Sequence, residues 1–468
     1  MSSALHYQTL TETLQQLQAG ELSSVELTQH MLDRISALDG DLHAYCTVLA
    51  ESALEQAQRM DERRAAGQSP GTLQGVPIAV KDLFATAGVV TASGTTVMSD
   101  HVPREDAWVV ARLEQAGAVM LGKVQLTEGA YGNHHPEICA PVNPWNAKLW
   151  SGVSSSGSGV SVAAGMAFGA LGSDTGGSIR FPSAANHLVG IKPTYGRVSR
   201  RGAFPLAESL DHVGPMARSV ADAACLLQVI AGFDERDATA IDADVPSYLQ
   251  ALAQDGDGLA GLTIGVDWRY VESGVAASVV GTVNDALHTF AELGAAVVDV
   301  TMPAEYEPLV SHWVITCAVE CALAHQDYFP KHRARYGPDL RRLIELGRRC
   351  GAIQYSTLER LRERFRAGFS ALFDNIDVLI CPTMPTAVPT NEEMAARAEQ
   401  GDVAADFLTF TAPFNYSGHP TITLPAGLDA DGVPTSFQLV GDYLDEATLL
   451  RFGYAFERAG EPSEHPNL

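Results

Sequence analysis

Two periodicities divide the chain. Up to about residue 70 the apolar positions recur at helical spacing. The opening stretch MSSALHYQTLTETLQQLQAG reads as an amphipathic helix. Ser23 and Ser24 precede ELTQHMLDRISAL, with Glu26 three residues after Ser23, the pattern of a capping box. The segment LEQAQRMDERRAA continues the helical texture, and GQSPG breaks it. From residue 71 short apolar runs alternate with helical stretches: GVPIAV, then the helix AWVVARLEQAG, the strand AVMLG, a Gly/Ser-rich segment, a small-residue helix SVAAGMAFG and the strand LVGIK. A helix over 219–231, the strand LTIGVDW, a helix over 276–293 and the strand AAVVDVTM follow. Consecutive helices fill 310–374. The strand DVLICP, a polar helix at 391–400, the strands TITLP and TSFQLVG and a last helix close the chain. Strands alternating with helices predict a layered α/β fold.

Composition narrows the classes. With 468 residues and 46% apolar content, the chain can bury a large core. Its net charge of −25 repels nucleic acids and acidic membranes. No run of 18 apolar residues predicts a membrane span, and the start lacks the basic and apolar regions of a secretion signal, so a cytoplasmic location is expected. The seven cysteines are scattered and mostly in apolar runs, which reads as reduced core thiols. Cys317 and Cys321 have helical spacing but no second pair to complete a metal site. Residues 331–370 carry 11 Lys/Arg against 4 Asp/Glu, read as helix faces that balance acidic neighbours.

The most unusual segment is SGVSSSGSGVSVAAGMAFGALGSDTGGSIRFP, residues 151–182, with eight glycines. It lacks both the phosphate-loop and the dinucleotide-loop spacings. Thr175-Gly176-Gly177-Ser178 instead suits an oxyanion hole, where successive backbone amides meet developing negative charge. A nucleophilic serine needs a base. The single G-x-S-x-G match, around Ser69, sits in a polar loop with Pro70 and is read as accidental. His187 and His212 have no marked carboxylate partner and read as structural. Among the five lysines, Lys81 closes the apolar run VPIAV, where burial would favour the neutral amine. His134 and His135 are adjacent on an extended loop and would point apart, so no metal site is expected there. Tyr131, Trp313, Tyr328, Phe329 and Phe407 could shape a pocket and lean weakly towards aryl or hydrophobic substrates.

These residues resemble the amidase signature family of serine hydrolases. The resemblance rests on GVPIAVKD (75–82), LGKVQLTEGAYG (121–132), NPWN (143–146), the whole of 151–182, GIKPTYGRVSRRG (190–202) and SLDHVGPMARSVADAA (209–224), with a weaker echo in FNYSGHPTITLPAG (414–427) and GVPTSFQLVG (432–441). It implies a single α/β domain over 1–468 with a mixed, twisted central sheet covered by helices on both faces. Residues 1–70 are expected as N-terminal helices that pack outside or make a homodimer contact. Residues 71–225 would form the signature core, and 305–410 a variable helical cover over the site.

The resemblance also implies a Ser-Ser-Lys triad whose middle serine follows a cis peptide bond. Its lysine falls on Lys81, its bridging serine on Ser154 and its nucleophile on Ser178. Thr175, Gly176, Gly177 and Ser178 would supply oxyanion amides, while Asp174, Arg180 and Ser155 would support the triad. Two positions depart from the family motif: Val153 replaces the second glycine, and Ser156 the glycine after the two serines. Ser154, Ser155 and Ser156 therefore compete for the bridge, and spacing to Ser178 favours Ser154. Tyr131, His134 and Trp313 are placed in the pocket. The implied activity is amide hydrolysis through an acyl-enzyme on Ser178, with no cofactor. Relatives by mechanism cleave esters, anilides, hydrazides, ureas and carbamates. The alternative is the glutamine-amidase component of a tRNA-dependent amidotransferase, working with partner subunits.

Overall fold

The computed structural model describes residues 4–68, 71–252, 258–400, 405–460 and 464–468. Ser69 and Pro70, the centre of the G-x-S-x-G match, lie outside them. Eleven strands form one sheet: β1 (Tyr45–Val48), β2 (Pro77–Lys81), β3 (Val119–Val124), β4 (Gly169–Asp174), β5 (Val189–Lys192), β6 (His212–Ala217), β7 (Thr263–Val266), β8 (Ala296–Asp299), β9 (Val378–Pro382), β10 (Thr421–Leu428) and β11 (Pro434–Gly441). Their order is β1-β3-β2-β4-β6-β5-β10-β11-β9-β7-β8. The β2–β3, β2–β4, β7–β8 and β7–β9 pairs are parallel and the rest antiparallel, so the sheet is mixed.

Every residue of β2, β4, β5, β6 and β9 is buried. Successive side chains point to opposite faces of a strand, so unbroken burial means that helices cover both faces. β8 is the opposite case: all four residues are exposed at the sheet edge.

The N-terminal caps follow the sequence. Thr9 with Glu12 and Ser23 with Glu26 both form reciprocal capping boxes, opening helices Leu10–Ala19 and Ser24–Leu42. The first of these helices packs against the domain, its Leu10 and Thr11 amides donating to the buried carboxylate of Asp222 at 2.9 and 3.1 Å.

Four expectations need correction. Residues 1–70 are not all helical, because β1 adds an edge strand antiparallel to β3. The small-residue helix lies earlier, at Ser156–Ala163, and ends before Gly165, whose φ of 66° turns the chain into β4. The span 305–410 is not all cover, since β9 runs through the sheet. Cys46 and Cys139 lie at the surface, whereas Cys225, Cys317, Cys321 and Cys381 are buried.

Candidate active site

β2 and β4 run in parallel with Val80 beside Leu171, so their C-terminal ends lie next to each other. Lys81 ends one strand and Ser173-Asp174 ends the other. The Gly/Ser segment between them folds back over this edge, because Ser155 Oγ donates to the Ser173 carbonyl at 3.2 Å.

Lys81 is fully buried. Its Nζ lies 2.8 Å from Ser154 Oγ, 2.8 Å from Ser155 Oγ and 2.9 Å from Ser173 Oγ. No carboxylate forms an ion pair with it among the described residues. Burial lowers its pKa to about 7, against the opposing pull of the more distant Asp174 and Asp211. A neutral amine has two N–H groups and one lone pair, so three hydroxyls can satisfy it. Ser155 has committed its hydrogen to the Ser173 carbonyl and must accept from Lys81. Ser154 remains free to donate to the lone pair.

The peptide bond between Val153 and Ser154 is cis. The structure thus separates three serines that sequence left in competition. Ser154 and Ser155 meet the lysine, while Ser156 Oγ lies 3.0 Å from His134 Nε2. Ser158 donates to the Leu171 carbonyl at 2.9 Å, a purely internal bond.

Asp174 organises the turn that follows. Its carboxylate accepts from the amides of Gly177 (2.9 Å) and Ile179 (3.1 Å), from Arg180 Nη2 (2.8 Å) and Nε (3.0 Å), and from Asn415 Nδ2 (2.9 Å). Burial pushes this carboxyl up, but the Arg180 charge and hydrogen bonds outweigh it, so it stays well below the usual carboxylate range. Gly177 is the correction here, since its N–H is taken by Asp174. The amides of Thr175, Gly176 and Ser178 remain as the oxyanion candidates.

The same turn is pinned on its carbonyl side. Trp313 Nε1 donates to the Thr175 carbonyl at 3.0 Å, and Thr411 Oγ1 to that of Gly176 at 2.6 Å. The Thr175 hydroxyl donates to Asp211 at 2.5 Å. A Cβ on Gly176 would sit 2.7 Å from Trp313, so this close approach requires glycine. Ser173, Asp211, Thr411 and Asn415 escaped the sequence reading. Ser173, Asp211 and Asn415 lie inside the quoted motifs, which was the available signal, while Thr411 lies outside them.

Ser178 lines a cavity of about 810 Å³ together with Gly176, Gly152, Tyr131, His134 and Trp313. Two aromatic walls face it. Tyr131 and Trp313 stack with centroids 6.3 Å apart. Trp150, Phe181 and Phe407 form a triangle with centroids 5.9–6.0 Å apart. Tyr328 and Phe329 do not reach the cavity; they pack instead on Phe204 and Tyr336. His135 is buried, and its Nδ1 accepts from the Glu137 amide at 3.1 Å. His212 Nδ1 lies 2.7 Å from the Leu210 carbonyl inside the core.

A buried lysine thus sits among serines at the C-terminal end of an interior strand of a mixed eleven-stranded sheet. The family described as Amidase matches residues 26–450. The chain belongs to this amidase signature family and is a hydrolase acting on carbon–nitrogen bonds. It is 44% identical over 453 residues to the Mycobacterium tuberculosis protein named "Putative amidase AmiD", covering 96% of this chain and 93% of that one. It is 38% identical over 484 residues to a glutamyl-tRNA(Gln) amidotransferase subunit of Carboxydothermus hydrogenoformans, covering 98% of each. The solved structure of the peptide amidase PAM with the competitive inhibitor chymostatin superposes with a TM-score of 0.85 at 30% identity, covering 99% of each chain.

Proposed function

We propose that this protein hydrolyses small organic amides through an acyl-enzyme on Ser178, with Lys81 as base and Ser154 as relay. The observation that carries this reading is the buried Lys81, whose pKa is lowered to about 7 so that neutral amine is available near neutral pH, within hydrogen-bond reach of Ser154. Ser154 passes its proton to Lys81 and takes the proton of Ser178. The Ser178 oxygen then bonds to the carbonyl carbon. The resulting oxyanion is met by the amides of Thr175, Gly176 and Ser178, on a turn whose carbonyls are already tied to Trp313 and Thr411. The proton held on Lys81 returns through Ser154 to the leaving nitrogen as the C–N bond breaks, so that an amine departs and not an amide anion. Water then gives its proton through Ser154 to Lys81 as it attacks the Ser178 ester, and the same proton returns to the Ser178 oxygen as the acid is released. No step needs a metal or an organic cofactor.

The aromatic walls support substrates with an aryl or branched hydrocarbon group. Esters, anilides, hydrazides and carbamates fit the same chemistry, because the relay does not read the leaving group. The test is mass spectrometry of products from a mixed panel of aliphatic and aryl amides, anilides, esters, ureas and carbamates. Turnover that falls by at least about 10³-fold in Ser178→Ala supports the reading. A folded Ser178→Ala protein with full activity ends it. The 38% identity to an amidotransferase component keeps a second reading in play, a glutaminase serving partner subunits. Hydrolysis of glutamine alone, together with a co-purifying partner, would favour it.

A further inference from the structure

The family motif has glycine where this chain has Ser156, and the hydroxyl so introduced is not idle. Ser156 opens the helix Ser156–Ala163, two residues beyond Ser154, and its Oγ lies 3.0 Å from His134 Nε2. His134 belongs to the loop after β3 that lines the cavity beside Ser178, Gly152 and Val153.

The hydrogen-bond network assigns the tautomer. Among the described residues the Ser156 hydroxyl has no other acceptor, so it satisfies its hydrogen by donating to Nε2. The ring hydrogen then resides on Nδ1, which has no protein partner among the described residues. Burial brings the imidazole down to about 4, so the ring is neutral at physiological pH.

Several other polar side chains of the cavity wall are spoken for, although the Tyr131 hydroxyl and the Trp150 indole N–H have no hydrogen-bond partner among the described residues. Asn133 donates to Asp339 at 2.8 Å, and Arg342 pairs with the same carboxylate. Ser151 donates to the Pro141 carbonyl at 2.6 Å, and Asn391 to the carbonyls of Ala147 and Leu149. The Thr127 hydroxyl is sealed in protein. The His134 N–H is thus an uncommitted donor on the wall of the cavity that Ser178 also lines, alongside the Tyr131 hydroxyl and the Trp150 N–H.

We propose that His134, oriented by Ser156, determines specificity by donating from Nδ1 to an acceptor oxygen in the acyl chain of the substrate. The substrate class becomes amides that combine an aryl group with a ketone, ether or amide oxygen near the scissile carbonyl. This inference rests on the amide-hydrolase reading.

The test compares two primary amides that differ by one acceptor oxygen, 4-oxo-4-phenylbutanamide and 4-phenylbutanamide. Binding is measured by calorimetry on the Ser178→Ala protein, and kcat/KM on the active enzyme. The oxo amide is expected to lead by about 10-fold in both. Adding His134→Phe should bring the ratio to about 1. His134→Asn, which keeps an N–H near the Nδ1 position, should retain most of the preference, and Ser156→Gly should lower it. Should the Phe variant fail to fold, Ser156→Gly reads the same ratio. A ratio near 1 in the parent, or one unchanged by these substitutions, overturns the proposal. Binding preference for the oxo amide without turnover by the active enzyme would sink the hydrolase reading and leave the His134 contact standing. Turnover of both amides without preference would sink only the contact.

Discussion

Lys81 owes its chemistry to where its strand stops. All five residues of β2 are buried, so the lysine at its end has no water to hold its charge. Because its pKa is depressed, the neutral amine grows as pH rises. Activity is therefore expected to climb with pH through a midpoint near 7 and then level, as read from kcat/KM between about pH 5.5 and 9. A flat profile over that range would exclude Lys81 as the base. Asp174 makes a separate prediction. Asp174→Ala leaves Arg180 buried without its counter-ion, which should cost about 3–5 kcal/mol in urea unfolding. At this scale the sequence was informative. Lys81, Ser154, Ser178, Asp174 and Arg180 were all marked by the motif resemblance, and they meet in one site. Spacing favoured Ser154 as the bridge, but it could not say what occupies Ser155, because that depends on the Ser173 carbonyl, which only the folded β4 brings near.

The turn over 174–179 is the element that links the lysine to the cavity. It is drawn around the Asp174 carboxylate and leaves no room for a Cβ at Gly176 or Gly177. Gly177 has φ 132°, and a Cβ there would lie 2.3 Å from Phe181. Gly177→Ala should therefore lower stability by about 1–3 kcal/mol and depress turnover, measurable by thermal unfolding alongside product formation. Melting and activity like those of the parent would show that the turn tolerates the strain. The strands flanking this turn were the hardest part of the fold to read. β4 is GALGSD and β6 is HVGPMA, rich in glycine and proline and poor in β-branched residues. They lack alternation because both their faces are buried, so periodicity gives no signal. The capping box at Ser23 was legible for the opposite reason. It is local, and three residues suffice to form it.

Across the whole molecule, charge and shape act separately. The basic stretch 331–370 is largely engaged within the fold. Arg333 pairs with Glu345 and Arg342 with Asp339, and Arg362 donates to the carbonyls of Ser209 and Tyr416. The net −25 therefore sets the external field. The protein should bind an anion exchanger and pass through heparin at moderate salt. Retention on heparin would mean that the basic helices present an anion site. The cavity is assembled from segments near 127–153, 176–181, 313–346 and 391–408, which no local pattern joins. Phe407→Ala, which opens the Trp150–Phe181–Phe407 triangle, should raise KM for aryl amides more than for small aliphatic ones, and a uniform change would argue against an aryl pocket. Among the described residues no helix is long and apolar enough to cross a membrane. By itself the sequence determined the α/β class, the cap at Ser23, the acidic field and the family whose motif marks the candidate residues, because these follow from local pattern and from a motif that is nearly continuous in the chain. Only the tertiary structure decided which serine hydroxyls surround the lysine, which turn amides stay uncommitted and which aromatics wall the cavity. Each of those depends on atoms brought together from distant segments by burial.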